Sequence, residues 1–201
     1  MKVGVMASGR GSNFQAIIDS SARGEIPDAE IVHLIVNKPN AYAIERAKDS
    51  GIGYNIIESA NKTREEFDAK AMAIFDKKGV EIVVLAGFMR ILSPLFVEKY
   101  KNKILNIHPS LLPAFPGAHA HRDALNYGAK ISGCTAHLVD NGIDSGPIIM
   151  QATVKIDEHE TEDTLSEKIL AHEHRILPKA LQLLCSKRVI LEGRKVRIKA
   201  D

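Results

Sequence analysis

The chain has 201 residues, of which 26% are charged and 45% hydrophobic, and its formal net charge is +2. That length fills one core or at most two small ones, and the composition is that of an ordinary globular domain. The near-balanced charge excludes a strong basic field for nucleic acid. The one cationic run, Arg194-Lys195-Val196-Arg197-Ile198-Lys199, reads as a solvated terminal strand.

Met-Lys-Val-Gly-Val-Met at the start reads as a strand rather than a signal peptide. Arg90 interrupts the longest apolar run, so nothing approaches the length that spans a bilayer. Cys134 and Cys185 form no paired motif, and reduced thiols in a cytoplasmic protein are expected.

Val3 to Ala7 is a short buried strand, followed by Ser8-Gly9-Arg10-Gly11-Ser12-Asn13 and a helix through Asp19. Ile31 to Val36 is a second strand, Ala41 to Asp49 a helix stopped by Gly51, and Tyr54 to Ile57 a weaker strand. Thr63-Arg64-Glu65-Glu66 carries the capping-box spacing of a helix running to Lys78. Glu81 to Ala86 is β-branched and extended, and Ser93-Pro94 opens a short helix.

The apolar run from Lys103 ends in Asn106-Ile107-His108-Pro109, where proline forces a loop. A helix over Arg122 to Tyr127, strands over Thr135 to Val139 and Pro147 to Ile156, and a long helix over Thr161 to Ser186, kinked at Pro178, follow. A terminal hairpin over Val189 to Ile198 turns at Glu192-Gly193. This alternation predicts a single α/β domain with a mostly parallel twisted sheet, a Rossmann-like N-terminal half and helices on both faces. Residues 1–100 read as a phosphate-binding βαβ half, 101–188 as a catalytic half, and 189–201 as a hairpin or tail.

Three stretches carry chemistry. Asn106 and His108 sit two apart on a strand, so their side chains leave one face. An amide donor and an imidazole at a strand's carboxyl end can hold and protonate an oxyanion, or can simply bond the loop backbone. Gly11, Ser12 and Asn13 open a helix after a glycine-rich turn, which suits a phosphate. Phe14 stands where a dinucleotide loop needs its third glycine, so a single phosphate fits better, with a plain βα turn as the alternative. The loop Asp140-Asn141-Gly142-Ile143-Asp144-Ser145-Gly146-Pro147 is polar enough to fold over a ligand. Asp144 or Asp140 there would stabilise a His108 imidazolium, although Asp140 reads rather as a turn-former bonding its own backbone. The pairs His119/His121, in a loop, and His172/His174, on a helix, are spaced poorly for metal.

Ala7 through Asn13, Ala86 through Leu92, Asn106 through Pro113 and Gly133 through Pro147 together resemble the phosphoribosylglycinamide formyltransferase family, folate-dependent enzymes of purine synthesis. The resemblance runs to about Pro178, and nothing after Lys187 matches its motifs. Relatives of this core act on methionyl-tRNA, on formyltetrahydrofolate with water, or on amino sugars and carry an added domain, for which this length leaves no room. The Gly-Ser-Asn loop is what points to the ribotide enzyme.

The resemblance implies direct attack of the glycinamide amine of 5-phosphoribosylglycinamide on the formyl carbon of 10-formyltetrahydrofolate, with Asn106, His108 and Asp144 catalytic. Gly11, Ser12 and Asn13 would hold the phosphate and Glu173 the ribose. Met89, Arg90, Ile91, Leu92 and Val97 would line a pterin slot closed by Asp140, Asn141, Gly142 and Ile143, with Arg64 on the folate side. It implies small-molecule partners, no metal, no nucleic acid or membrane, and a monomer or homodimer. Competing readings are a metal hydrolase built on His108, His119, His121 and His137, or a regulatory nucleotide-binding module.

Overall fold

Parallel strands cannot be joined by tight turns, so a chain that alternates short buried strands with helices must cross over the sheet each time. The computed structural model describes residues 1–200 and shows this pattern. In chain order the elements are β1 (Lys2–Ala7), α1 (Ser12–Ala22), β2 (Glu30–Val36), α2 (Ala43–Asp49), β3 (Gly53–Ile56), α3 (Arg64–Lys78), β4 (Ile82–Leu85), α4 (Pro94–Lys99) and β5 (Ile104–His108). Then follow α5 (Ala120–Tyr127), β6 (Ile131–Leu138), β7 (Ile148–Lys155), α6 (Glu162–Cys185), β8 (Val189–Glu192) and β9 (Lys195–Ile198).

Seven strands form one sheet in the order β3-β2-β1-β4-β5-β6-β7, and β8 and β9 form a separate hairpin. β1 to β5 pair in parallel, whereas β6 and β7 join antiparallel. The mostly parallel sheet expected from the sequence is therefore a parallel core with an antiparallel edge. One apolar cluster, with Phe14, Ile17, Ile169, Leu177 and Leu181 from α1 and α6, covers one face of the sheet. A second, built from Phe67, Phe75, Phe96 and Tyr100 around α3 and α4, covers part of the other.

Local signals set most boundaries. Thr63 and Glu66 form the capping box that starts α3, and Gly79 ends it in the left-handed conformation. Ser93 accepts from the Phe96 amide at 3.3 Å, and Pro94 takes the first helical position of α4. Some boundaries move. The helix expected from Arg122 begins at Ala120, so His121 lies in its first turn and His119 just before it. The strand expected from Thr135 begins at Ile131. The long helix expected near the end is α6, with a buried Pro178 inside it. Among the described residues, no helix is long and apolar enough to cross a membrane.

Candidate active site

β1 and β4 are neighbours in the sheet, but the segments that follow them leave towards opposite faces. A crevice opens at such a reversal, outside the carboxyl ends of the strands. Here it has a volume of about 360 Å³ and is lined by Ser8 to Asn13, Lys38, Ala86, Gly87, Met89, Pro109, His121, Ser166 and Glu173, among others. Ser8 stitches its two sides together: its amide donates to the Gly87 carbonyl at 3.1 Å, and its hydroxyl accepts from the Met89 amide at 2.9 Å. The lining draws on both halves of the chain.

The floor of the cleft is the start of α1. Gly11 precedes that helix with φ +67°, and a Cβ there would lie 2.7 Å from the Ala43 Cβ, so glycine is required twice over. No side chain caps the first turn, which leaves its amides to a ligand. Arg46 of α2 braces the loop from behind, donating from Nε to the Arg10 carbonyl at 2.8 Å.

Glu173 reaches the cleft from α6 and is 6% exposed. Asn13 Nδ2 donates to its Oε2 at 2.7 Å, while Asn13 Oδ1 is buried without a partner. Burial pushes the Glu173 carboxyl up from its ordinary value, and the Asn13 bond opposes this only in part. A buried carboxylate beside an orphaned amide oxygen is a polar pair awaiting hydroxyl or amine donors.

The second group lies on β5. Asn106 and His108 share a face, opposite His137 and Thr135 on β6. Asn106 Nδ2 donates to His137 Nε2 at 3.1 Å, and the other His137 nitrogen, Nδ1, donates to the Leu138 carbonyl at 2.9 Å. That pattern requires a neutral ring. Burial accordingly lowers the His137 pKa, outweighing the Asp144 carboxylate 3.7 Å from Nε2. An amide has two N–H bonds, so with one committed to His137 the other is held in a fixed direction.

His108 faces acceptors on both sides. Its Nε2 donates to the Phe115 carbonyl at 2.9 Å, and its Nδ1 lies 3.3 Å from Asp144 Oδ2. The same carboxylate oxygen accepts from the Gly117 amide at 2.8 Å. An imidazole with an acceptor at each nitrogen is suited to carrying two protons. Phe115 (φ +52°) and Asp144 (φ +48°) both adopt the left-handed conformation that non-glycine residues avoid. Strain of this kind gathers where function demands a fixed geometry.

The loop after β6 settles which aspartate does what. Asp140 Oδ1 accepts from the Gly142 amide at 3.0 Å and the Ser145 hydroxyl at 2.5 Å, so it shapes the turn, while Asp144 meets His108. Asn141, Gly142 and Ile143 form the exposed tip. Of the expected pterin-slot residues, Leu92 and Val97 are packed in the α3/α4 core. Met89, Ile91 and Ile143 are apolar yet 73%, 55% and 61% exposed. The Arg90 guanidinium lies 4.7 Å over the Phe67 ring and donates to the Thr63 carbonyl, beside the exposed Arg64 that begins α3.

His137, Phe115 and Gly117 were not singled out for this constellation from the sequence. Only His137 left a signal, a second polar residue at period two with Thr135 in an apolar strand. Cys134 is fully buried in the core, and burial pushes its thiol up to about 12, which disfavours the thiolate. Among the described residues, no three His, Cys, Asp or Glu side chains are arranged to hold a metal ion.

The chain is 46% identical to the trifunctional purine biosynthetic protein adenosine-3 of Chironomus tentans over 92% of its own length, which is 14% of that protein. It is 42% identical to the phosphoribosylglycinamide formyltransferase of Escherichia coli (strain K12), covering 89% of this chain and 84% of that one. The crystal structure of glycinamide ribonucleotide transformylase 1 from Symbiobacterium toebii matches with a TM-score of 0.96 at 44% identity, covering 98% of this chain and 93% of that chain. The chain thus spans about a seventh of the trifunctional relative. Residues 1–181 match the formyl transferase family, and the chain belongs to it.

Proposed function

We propose that this protein transfers the formyl group of 10-formyltetrahydrofolate to the amine of 5-phosphoribosylglycinamide, a step of purine synthesis. The observation that carries the reading is the meeting of Asn106, His108 and Asp144 beside a cleft floored by uncapped helix amides and walled by buried Glu173. The ribotide phosphate sits on the amides of Gly11, Ser12 and Asn13, and its ribose hydroxyls donate to Glu173. The pterin lies on the other face, against Met89, Arg90, Ile91, Leu92 and Val97, with Asp140 to Ile143 over it. The solvent-exposed apolar side chains of Met89, Ile91 and Ile143 fit a flat heteroaromatic ring, and Arg64 and Arg90 fit the carboxylates of the folate tail.

The amine lone pair forms the new C–N bond as the carbonyl pair moves onto oxygen, giving a tetrahedral oxyanion. The free N–H of Asn106 meets that oxygen. His108, oriented by Asp144 at 3.3 Å, donates to the oxyanion or passes a proton to the departing folate nitrogen, and regains one from the attacking amine. For this, one of its ring N–H bonds must leave its present acceptor, a tightening that accompanies substrate binding in many active sites. No covalent enzyme intermediate is needed.

Mixing the protein with both substrates and following formylated ribotide by mass tests the reading. Formate released without formylated ribotide would overturn it in favour of hydrolysis.

A further inference from the structure

The terminal hairpin lies beyond the residues matched to the family, yet it touches the catalytic loop. Glu192 and Lys195 pair across β8 and β9, which leaves Gly193 and Arg194 as a two-residue turn. Gly193 takes φ +62°, as the first position of such a turn requires. From this turn Arg194 Nη2 donates to the Ser145 carbonyl at 2.6 Å. The hairpin is anchored at its base. The Arg188 amide donates to the Leu183 carbonyl at the end of α6, and Arg188 and Lys199 exchange bonds at 2.8 and 2.9 Å. Arg197 pairs with Glu192 across the strands at 2.8 Å. Arg194 is thus presented on a fixed arm.

Ser145 directly follows the left-handed Asp144, and it is gripped from two sides. Its hydroxyl donates to Asp140 and its carbonyl accepts from Arg194. The loop has no slack to absorb a shift. A Cβ on Gly146 would fall 1.8 Å from the Leu138 carbonyl oxygen, and one on Gly142 2.1 Å from Ser145 Oγ. A non-glycine residue stays in a strained conformation only when its surroundings over-determine it.

We infer that Arg194 is a positioning residue, clamping Ser145 so that Asp144 stays in line with His108. This rests on the proposed role of Asp144 in formyl transfer. It also gives a function to a segment that the family motifs leave unassigned.

Arg194→Met keeps the stem and removes the donors, while Arg194→Lys keeps the charge and one donor site. Arg194→Met should lower kcat about five- to tenfold, the worth of one ordinary solvent-accessible hydrogen bond. The KM of each substrate should stay within about twofold, and Arg194→Lys should recover most of the rate. In an Asp144→Asn background the same change should cost nothing further, because the two act through one contact. In the unliganded protein, the His108 ring nitrogen resonances of Arg194→Met should move towards those of Asp144→Asn. Full additivity with Asp144→Asn, or unmoved His108 resonances, would overturn the inference. The resonances need no turnover: their shift in a protein that transfers no formyl group would sink only the functional reading, while their constancy in an active enzyme would sink only this one.

Discussion

On the α1/α6 side of the sheet's carboxyl edge, the cleft is made from secondary structure itself: the uncapped start of a helix, a glycine that permits close approach, and a glutamate delivered by the next long helix. On the opposite side the working groups are set by loops. Phe115 and Asp144 are held in left-handed conformations, His108 is pinned between them, and Asn106 is aimed by His137 from a neighbouring strand. The first arrangement suits an anion bound equally well throughout a reaction. The second suits charge that exists only transiently, because preorganised donors act most strongly where charge develops. Binding and catalysis are therefore expected to separate by face.

The largest test breaks the loop side. Asp144→Asn keeps the shape and removes the anion beside His108, so kcat should fall about 10²–10³-fold, the range for disabling a general acid or base. The KM of each substrate should change less than kcat, because the contact matters most when charge develops on the reacting atoms. A rise in KM with kcat unchanged would assign Asp144 a binding task instead.

His137→Leu comes next. It leaves the Asn106 amide without its orienting acceptor, and kcat should fall about 10–50-fold, less than the 10²–10³-fold lost on deleting an oxyanion donor outright. Ribotide KM should stay near the parent value. A rise in KM with unchanged kcat would place Asn106 in substrate binding instead.

Glu173→Gln probes the other face and should do the reverse. The ribotide KM should rise about tenfold with kcat nearly intact, as for lost uniform binding. Because burial raises the Glu173 pKa, its ionised form destabilises the empty protein at neutral pH. Glutamine still accepts from Asn13, so the melting midpoint should rise by about 2–4 °C. A fall in both kcat and melting temperature would mean that the carboxylate is structural.

The smallest effect is on acid stability. Burial lowers the pKa of His33, His121, His137 and His174 below the ordinary 6.5. The unfolded chain then takes up protons first, so this contribution is complete above pH 6.5 and is lost as the pH falls towards the lowered folded values. Chemical denaturation should show lower stability at pH 5 than at pH 7, with a smaller difference in His137→Leu. Glu173 and Asp68, raised by burial, act in the opposite direction and limit the loss.

The sequence by itself determined whatever rests on neighbours in the chain. The capping box at Thr63, the serine–proline start of α4, the glycine turn before α1 and the period-two spacing of Asn106 and His108 are all local, and they were enough for an α/β sheet with a candidate anion site and a candidate catalytic pair. Family motifs added Glu173 and Asp144, which no spacing relates to β5. Spacing left Asp140 and Asp144 open, since both lie in one polar loop, and the packing of that loop is what turns the Asp144 carboxylate towards His108 while Asp140 shapes the turn. It also brought His137 against Asn106, the Asn13 amide against Glu173, and Arg194 against Ser145. Each of these pairs is far apart in sequence, and strand order, crossover and hairpin docking create contacts that local propensity does not encode.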